Sequence, residues 1–239
     1  PRDTVFEDID NVKKVRNTLN KVDWNCQVKT LFRDFNMGSK RAIEDAITWF
    51  FSIEEQGIIL EDDCIPTTSF FFFCDELLDL YRDDREILMI SGTNRLSHSF
   101  GKESYFFGYG DIWGWATWRR AWNLYDGDLQ NLSKKKNLQS ARQFCKSSKW
   151  VYNEVISGCL KVNEGKIASW AYPWALSRFC ERGLSIIPSV NLVMNIGYGK
   201  NATHTRNKNT LNDVPLQEVV FPMIHPKNKI LNNKYYNIL

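Results

Sequence analysis

Apolar and polar positions follow two periods along this chain, and together they predict helices interleaved with short strands. Residues 39–51 carry Ala42, Ile43, Ile47 and Phe50 at helical spacing, which predicts an amphipathic helix. The same reasoning predicts further helical segments at 8–21, 68–82, within 128–164 and at 167–182. It predicts strands at 27–32, 58–60, 86–91, within 104–118 and at 185–197. Helices that alternate with short buried strands are typical of an α/β domain with a parallel or mostly parallel sheet.

The strand predicted at residues 58–60 ends in three consecutive carboxylates, Glu61, Asp62 and Asp63. Packing does not require adjacent acids at a strand end, and like charges repel unless a positive group offsets them. Because side chains alternate along a strand, Glu61 and Asp63 are expected on one face and Asp62 on the other. Ligands of open α/β sheets bind beyond the carboxyl ends of strands. Two interpretations are open: a divalent cation that bridges to a diphosphate, or a solvated acidic turn before Pro66.

Composition narrows the classes of function. The chain has 239 residues, of which 43% are hydrophobic and 25% charged, as expected for one globular domain. Its net charge of +3 is too small to indicate binding to nucleic acid or to an anionic membrane. No apolar run approaches about 18 residues, so no transmembrane segment is expected. The six cysteines show no CxxC spacing and no signal peptide is visible, which predicts reduced thiols in a cytoplasmic protein.

Several segments occur in an order and spacing that resemble a known family. The acidic segment 61–66 comes before a run of four phenylalanines at 70–73. Further along, the segment 90–94 comes before the tryptophan-rich segment 113–122, and the segment 191–199 comes before residues 202–205. In this order the chain resembles bacterial nucleotide-diphospho-sugar glycosyltransferases of the GT-A fold and, more distantly, the N-acetylglucosaminyltransferase that begins complex N-glycans. The resemblance implies a Rossmann-like GT-A domain over residues 1–205 and a tail, 206–239, that packs on it. It also implies that the family's first strand, which helps to hold the nucleotide base, would precede Pro1.

The resemblance implies a metal-dependent site for a nucleotide-diphospho-sugar donor. Asp63 is the expected ligand of Mn²⁺ or Mg²⁺, while Glu61 and Asp62 are expected to reach the ribose or the donor sugar. A cation there would offset the negative charge that develops on the leaving nucleoside diphosphate. His204 is a second candidate ligand, although a single histidine is more often structural. Three cations are candidates for binding the nucleotide's charge, although residues of this kind are more often ordinary surface cations: Arg2, Lys40 and Arg41.

Residues 113–115 resemble the family's acceptor-side loop. Gly114 would let the backbone approach the acceptor sugar, and Trp113 and Trp115 would each offer a flat face. Core packing beside a turn glycine is the alternative interpretation for each tryptophan. The acceptor expected for this loop is a glycan or another molecule with a reactive hydroxyl.

The chain departs from the family pattern at the position of the catalytic base. The family carries an Asp just after a Trp near the start of the late helix, where an inverting transferase needs a group to take the acceptor's proton. The corresponding residue here is Ala171, and no Asp or Glu occurs within 165–180. Three explanations are open: a silent relative, an introduced substitution, or a different base such as Asp111 or Glu103.

The expected function is therefore transfer of a sugar from a nucleotide-diphosphate donor to a hydroxyl acceptor, with inversion and with help from a metal ion. Loss of the base makes a catalytically silent relative, which binds a sugar nucleotide or a glycan, the main alternative. A metal-dependent phosphohydrolase that uses residues 61–63 is a further alternative. That chemistry usually requires more ligands along the chain and often two metal ions.

Overall fold

The computed structural model describes residues 6–96, 100–197 and 214–239. Its helices, in chain order, are α1 (Phe6–Asn17), α2 (Ser39–Ile53), α3 (Thr68–Leu80), α4 (Arg119–Trp122), α5 (Lys135–Phe144), α6 (Lys149–Asn163), α7 (Ala171–Cys180) and α8 (Asn233–Ile238). Its strands are β1 (Gln56–Ile59), β2 (Cys64–Pro66), β3 (Ile87–Ser91), β4 (Tyr105–Gly108), β5 (Trp115–Trp118), β6 (Leu184–Pro188) and β7 (Val193–Asn195). Short 3₁₀ turns cover Thr18–Lys21 and Gln130–Ser133.

The central sheet has five strands in the order β1-β5-β3-β6-β4. Strands β1, β3 and β6 run in one direction, while β5 and β4 run in the opposite direction. The sheet is therefore mixed, with β3–β6 as its parallel pair, and not the parallel or mostly parallel sheet that the sequence predicted. Strand β5 follows a loop rather than a crossover helix and inserts between β1 and β3, which explains the antiparallel pairing on both of its sides. The two short strands β2 and β7 form a separate antiparallel pair.

Helices cover both faces of the sheet, as the alternating pattern predicts for an α/β fold. One face packs against α3, whose buried side chains include Phe70, Phe73 and Leu77. The other face packs against α2, α4 and α7 through a cluster of aromatic rings: Phe51, Trp115, Trp122, Trp170 and Trp174. This cluster accounts for much of the chain's tryptophan, because these rings fill the core rather than cover a ligand surface.

Most predicted elements are confirmed, with differences at two places. The predicted helix at 39–51 is α2, and the acidic segment follows β1 as expected. The strand predicted at 27–32 is wrong: these residues form neither helix nor strand. Branched and aromatic residues there lack a neighbouring strand to pair with, and a lone strand leaves its backbone groups unpaired. The strand predicted at 185–197 divides into β6 and β7 with a bend after Pro188, a residue that cannot continue a ladder.

The described part of the tail, 214–239, packs against the sheet domain. Tyr235 and Tyr236 of α8 are buried, and the backbone N–H of Asn232 donates to Phe107 O at 2.8 Å. Side chains of Val219 and Met223 join the core on the α3 face. In the ranges that the structure describes, none of the helices has the length and apolar character needed to cross a membrane.

Candidate functional site

Three loops meet at one edge of the central sheet. Ile59 at the end of β1 and Ser91 at the end of β3 both pair with Trp115, the first residue of the antiparallel strand β5. The chain after β1, the chain after β3 and the chain before β5 therefore emerge side by side. Gly92 N–H donates to Gly114 O at 2.7 Å, which joins the second of these loops to the third.

A cavity of about 650 Å³ opens at this edge. The residues that line it come from the start of α2, the acidic turn, the loop before β5, the end of α6, the start of α7 and the end of β7. They include Glu61, Asp62, Asp63, Trp113, Lys161, Trp170, Ala171, Asn195 and Gly197. The sequence-based prediction placed the acids, the loop at 113 and the position at 171 in one site. The fold brings all three groups to the same cavity.

The β2–β7 ladder fixes the position of Asp63. Ile196 N–H donates to Asp63 O at 2.8 Å, which extends the ladder by one bond beyond Cys64. The Asp63 carboxylate lies directly against Gly197, where a Cβ would overlap its oxygen. Glycine at 197 therefore makes room for this carboxylate beside the cavity, and the ladder limits its movement.

Glu61 and Asp63 are half-buried while Asp62 is exposed. The predicted division between two faces is wrong, because residues 61–63 leave the strand for a turn and all three line the cavity. Burial and the neighbouring charge of Asp63 raise the pKa of the Glu61 carboxyl, while a hydrogen bond from the Trp170 side chain acts in the opposite direction. In residues 6–96, 100–197 and 214–239, none of the ion pairs involves these three acids. The cluster therefore has negative charge that the described side chains do not neutralise.

The arrangement can be compared with what a divalent cation requires. Among the described residues, no three His, Cys, Asp or Glu side chains are grouped so that they would enclose a metal ion. A cation that bridges to a diphosphate needs no such cage, because Mg²⁺ commonly binds one or two carboxylates together with phosphate oxygens and water. The oxygen ligands and the uncompensated charge at 61–63 fit that mode. The second expected ligand, His204, lies outside the described residues.

The cations proposed for the nucleotide do not line the cavity in the described structure. Lys40 forms an ion pair with Glu44 at 2.7 Å and donates to Gly127 O at 3.0 Å, so its charge is already used within the fold. Arg41 is exposed on α2 and is not among the lining residues. Arg2 lies outside the described residues. Lys161, which the sequence analysis did not single out, extends from α6 to the cavity instead.

The two tryptophans of the loop have different environments. Trp113 is half-buried, lines the cavity and stacks under the Arg95 guanidinium, with Cζ 4.8 Å from the ring centroid. Trp115 is 1% exposed and stacks on Trp170 with ring centroids 5.5 Å apart. The expectation that Trp115 offers a face to the acceptor is therefore wrong, because strand β5 turns this ring into the core.

Gly114 adopts a left-handed backbone conformation (φ +62°) and packs closely against Val193, whose methyl groups would lie 2.7 and 2.9 Å from an added Cβ. Gly165 has a similar φ of +70° but has open space around it. We expect Gly165→Ala to lower the free energy of unfolding by about 1 kcal/mol through backbone strain alone. Gly114→Ala should cost about 1–3 kcal/mol more because of overpacking. Chemical denaturation of both variants measures the difference, and equal losses would contradict the close approach at 114.

Ala171 is the first residue of α7 and lies between two cavities. It lines the cavity at the acids and also a second one of about 390 Å³, as do Ile112 and Tyr172. The first cavity and the second cavity thus share a wall. The position expected for a base therefore faces both, although its methyl group has no proton-accepting atom.

The two substitute bases are placed differently. Asp111 lines the second cavity, and both of its oxygens accept hydrogen bonds from Arg95, at 2.8 and 2.9 Å. A carboxylate held in this bidentate pair would have to leave it before accepting a proton. Glu103 is exposed and lines a separate cavity beside β4, together with Asn232 of the tail. Its proposed place near the acceptor loop is therefore wrong.

Four contributors to the site were missed from the sequence. Trp170 reaches Glu61, Gly197 accommodates Asp63, Arg95 holds both Asp111 and Trp113, and Lys161 lines the first cavity. Gly197 follows a strand that belongs to the resemblance, and Trp170 precedes the expected base position, so both offered a signal. Arg95 and Lys161 gave none, because their place at the site depends on which elements become neighbours.

Comparisons with known proteins do not assign this chain to a family. No protein-family model matches the sequence, and no curated protein matches it significantly.

Proposed function

We propose that this chain is a glycosyltransferase domain of the GT-A type, which moves a sugar from a nucleotide-diphosphate donor to a hydroxyl acceptor with the help of a divalent cation. The observation that carries the proposal is the first cavity, in which the acids 61–63, Trp113 and the start of α7 surround one space. The free thiols of the described cysteines are in keeping with a cytoplasmic setting for this reaction.

The residues of the first cavity suit a donor that carries a diphosphate and a sugar. Asp63, and secondarily Glu61, would hold Mn²⁺ or Mg²⁺, which when bound supplies positive charge against the phosphate oxygens. Asp62, exposed at the rim, is suited to accept hydrogen bonds from sugar or ribose hydroxyls. Trp113 offers a partly exposed flat ring on the other side of the space, as sugar rings require.

A catalytically silent binding domain is the second candidate, and Ala171 favours it. This residue faces the shared wall of the two cavities without a proton-accepting group, and Asp111 is held by Arg95. The binding half of the proposal does not require a base. The two candidates therefore agree on donor binding and differ only in turnover.

Calorimetric titration with a panel of sugar nucleotides, each with and without Mn²⁺, tests the shared part. We expect saturable binding of at least one donor that becomes tighter by about tenfold or more with Mn²⁺, since an unshielded diphosphate would be repelled by the acids. Binding with turnover indicates the transferase, and binding without turnover indicates the silent domain. Metal-independent binding of every donor, or none at all, would contradict the proposal. Phosphate release from simple esters would favour a phosphohydrolase instead.

A further inference from the structure

The second cavity, of about 390 Å³, contains a buried guanidinium that the donor site does not use. Arg178, on α7, lines this cavity and is 1% exposed. Burial lowers its pKa to about 10, so the side chain still carries a positive charge at neutral pH. Charged groups that leave water normally have a charged partner, because burying an isolated charge is costly.

The described residues do not supply that partner. None of their ion pairs involves Arg178, and its hydrogen bonds there all run from Nη1, to Tyr109 O at 2.7 Å and to Ser185 Oγ at 2.5 Å. Its Nε is buried and has no hydrogen-bond partner among the described residues. Cζ of Arg178 lies 5.4 Å from the centroid of the Trp174 ring and 5.8 Å from that of Phe179. The fold thus holds Arg178 in position through Nη1, while no described carboxylate forms an ion pair with it.

Two acids lie around the second cavity, and neither forms an ion pair with Arg178 in the described part of the chain. Asp111 is near enough for its charge to raise the pKa of Arg178, but both of its oxygens accept hydrogen bonds from Arg95 in a bidentate pair. Glu154 lies on the exposed side of α6, at the rim.

We propose that the second cavity is the acceptor subsite and takes an acceptor that carries a carboxylate or phosphate group, which Arg178 binds. This inference rests on the proposed function, since the wall that the two cavities share at Ala171 is what makes the second cavity the acceptor side. A planar guanidinium suits both anions, because each presents two oxygens to neighbouring N–H groups. The rings of Trp150 and Tyr172 line the same space and are suited to the apolar face of a sugar.

The test uses two anionic probes, inorganic phosphate and glucuronate, with glucose as the neutral counterpart. Binding is measured calorimetrically at low salt, without sugar nucleotide and without metal. We expect saturable binding of at least one anion and none of glucose. Stronger binding of phosphate would indicate a phosphate-bearing acceptor, and stronger binding of glucuronate a carboxylate-bearing one.

A tethered carboxylate provides the decisive variant. Ala175 lines the second cavity three residues before Arg178 on the same helix, so a side chain at 175 lies on the same face of α7. Ala175→Glu should pair with Arg178 and weaken binding of the anion by about tenfold or more, whereas the similarly sized Ala175→Gln should retain it. Arg142→Gln, which removes an exposed arginine from α5, is the surface control and should change nothing.

Arg178→Gln should also abolish anion binding, but it removes a buried hydrogen-bonded group and can prevent folding. Ala175→Glu keeps the inference testable, because it leaves Arg178 in place. Absence of anion binding in the natural chain, or equal weakening by Ala175→Glu and Ala175→Gln, would overturn it. Because no donor or metal is present, this result is independent of the titration with sugar nucleotides. Failure of one proposal can therefore be told apart from failure of the other.

Discussion

Replacing Ala171 by aspartate is expected to raise the rate of sugar transfer by about 10²–10⁴-fold, the usual contribution of a general base. Residue 171 faces both cavities, so a carboxylate there can take the proton of an acceptor hydroxyl that approaches a donor held at the acids. The substitution is compatible with the fold, because 171 is half-buried and an acidic residue at the first position of a helix is favourable. Transfer is measured as release of nucleoside diphosphate with a panel of donors and acceptors.

Ala171→Asn is the matched control for this change. Asparagine has nearly the same shape as aspartate but cannot act as a base at neutral pH. Any gain from filling space therefore appears in both variants, and they differ in the charged carboxylate that can take a proton. If Ala171→Asp transfers sugar no faster than Ala171→Asn, residue 171 is not the position of the base.

Replacing Asp63 by asparagine is expected to abolish the Mn²⁺-dependent part of donor binding, with an affinity loss of about 10²-fold. Asparagine keeps the packing against Gly197 but removes the negative charge, and a divalent cation loses a carboxylate ligand. Truncating one member of a buried charge interaction typically costs about 2–5 kcal/mol, or about 30-fold to several thousand-fold in affinity, a range that includes this loss. Titration of the variant with donor, with and without Mn²⁺, measures both the donor affinity and its Mn²⁺-dependent part.

Asp75→Asn is the control for Asp63→Asn, since Asp75 is exposed on α3 and does not line the first cavity. It removes the same unit of charge from the protein, so a general electrostatic effect would appear in both variants. Equal effects, or an Asp63→Asn variant that still binds the donor more tightly with Mn²⁺, would mean that the acids serve another purpose. In that case a solvated acidic turn becomes the better interpretation.

Periodicity and residue type carried the prediction of the α/β class and of most helices. The amphipathic stripe of α2 and the apolar run before the acids are local patterns, and local geometry is enough to place their side chains in or out of water. The strand expected at 27–32 failed because a strand exists only where a neighbour accepts its hydrogen bonds, and no local pattern reports that neighbour.

The candidate site, like the fold, was predictable from the sequence only in part. Three adjacent acids at a strand end indicated a candidate charged site from the sequence, with a solvated acidic turn as the alternative interpretation. The burial of Trp115 was not predictable, since its exposure depends on which face of β5 meets α7. The pairing of Arg95 with Asp111 was not predictable from the sequence either, because both residues lie in loops that become neighbours only through the sheet.

The sequence by itself determined most helices of this protein, the acids at 61–63 and an alanine in place of the expected carboxylate at 171, because each depends on residue identity and on contacts within a few residues. Only the tertiary structure decided that these features share one cavity, and that Arg178 lines a second one without an ion pair to any described residue. The physical reason is that β1, β5 and β3 become neighbours through backbone hydrogen bonds between distant segments. Side-chain periodicity describes how each strand faces water, but not which strand lies next to it.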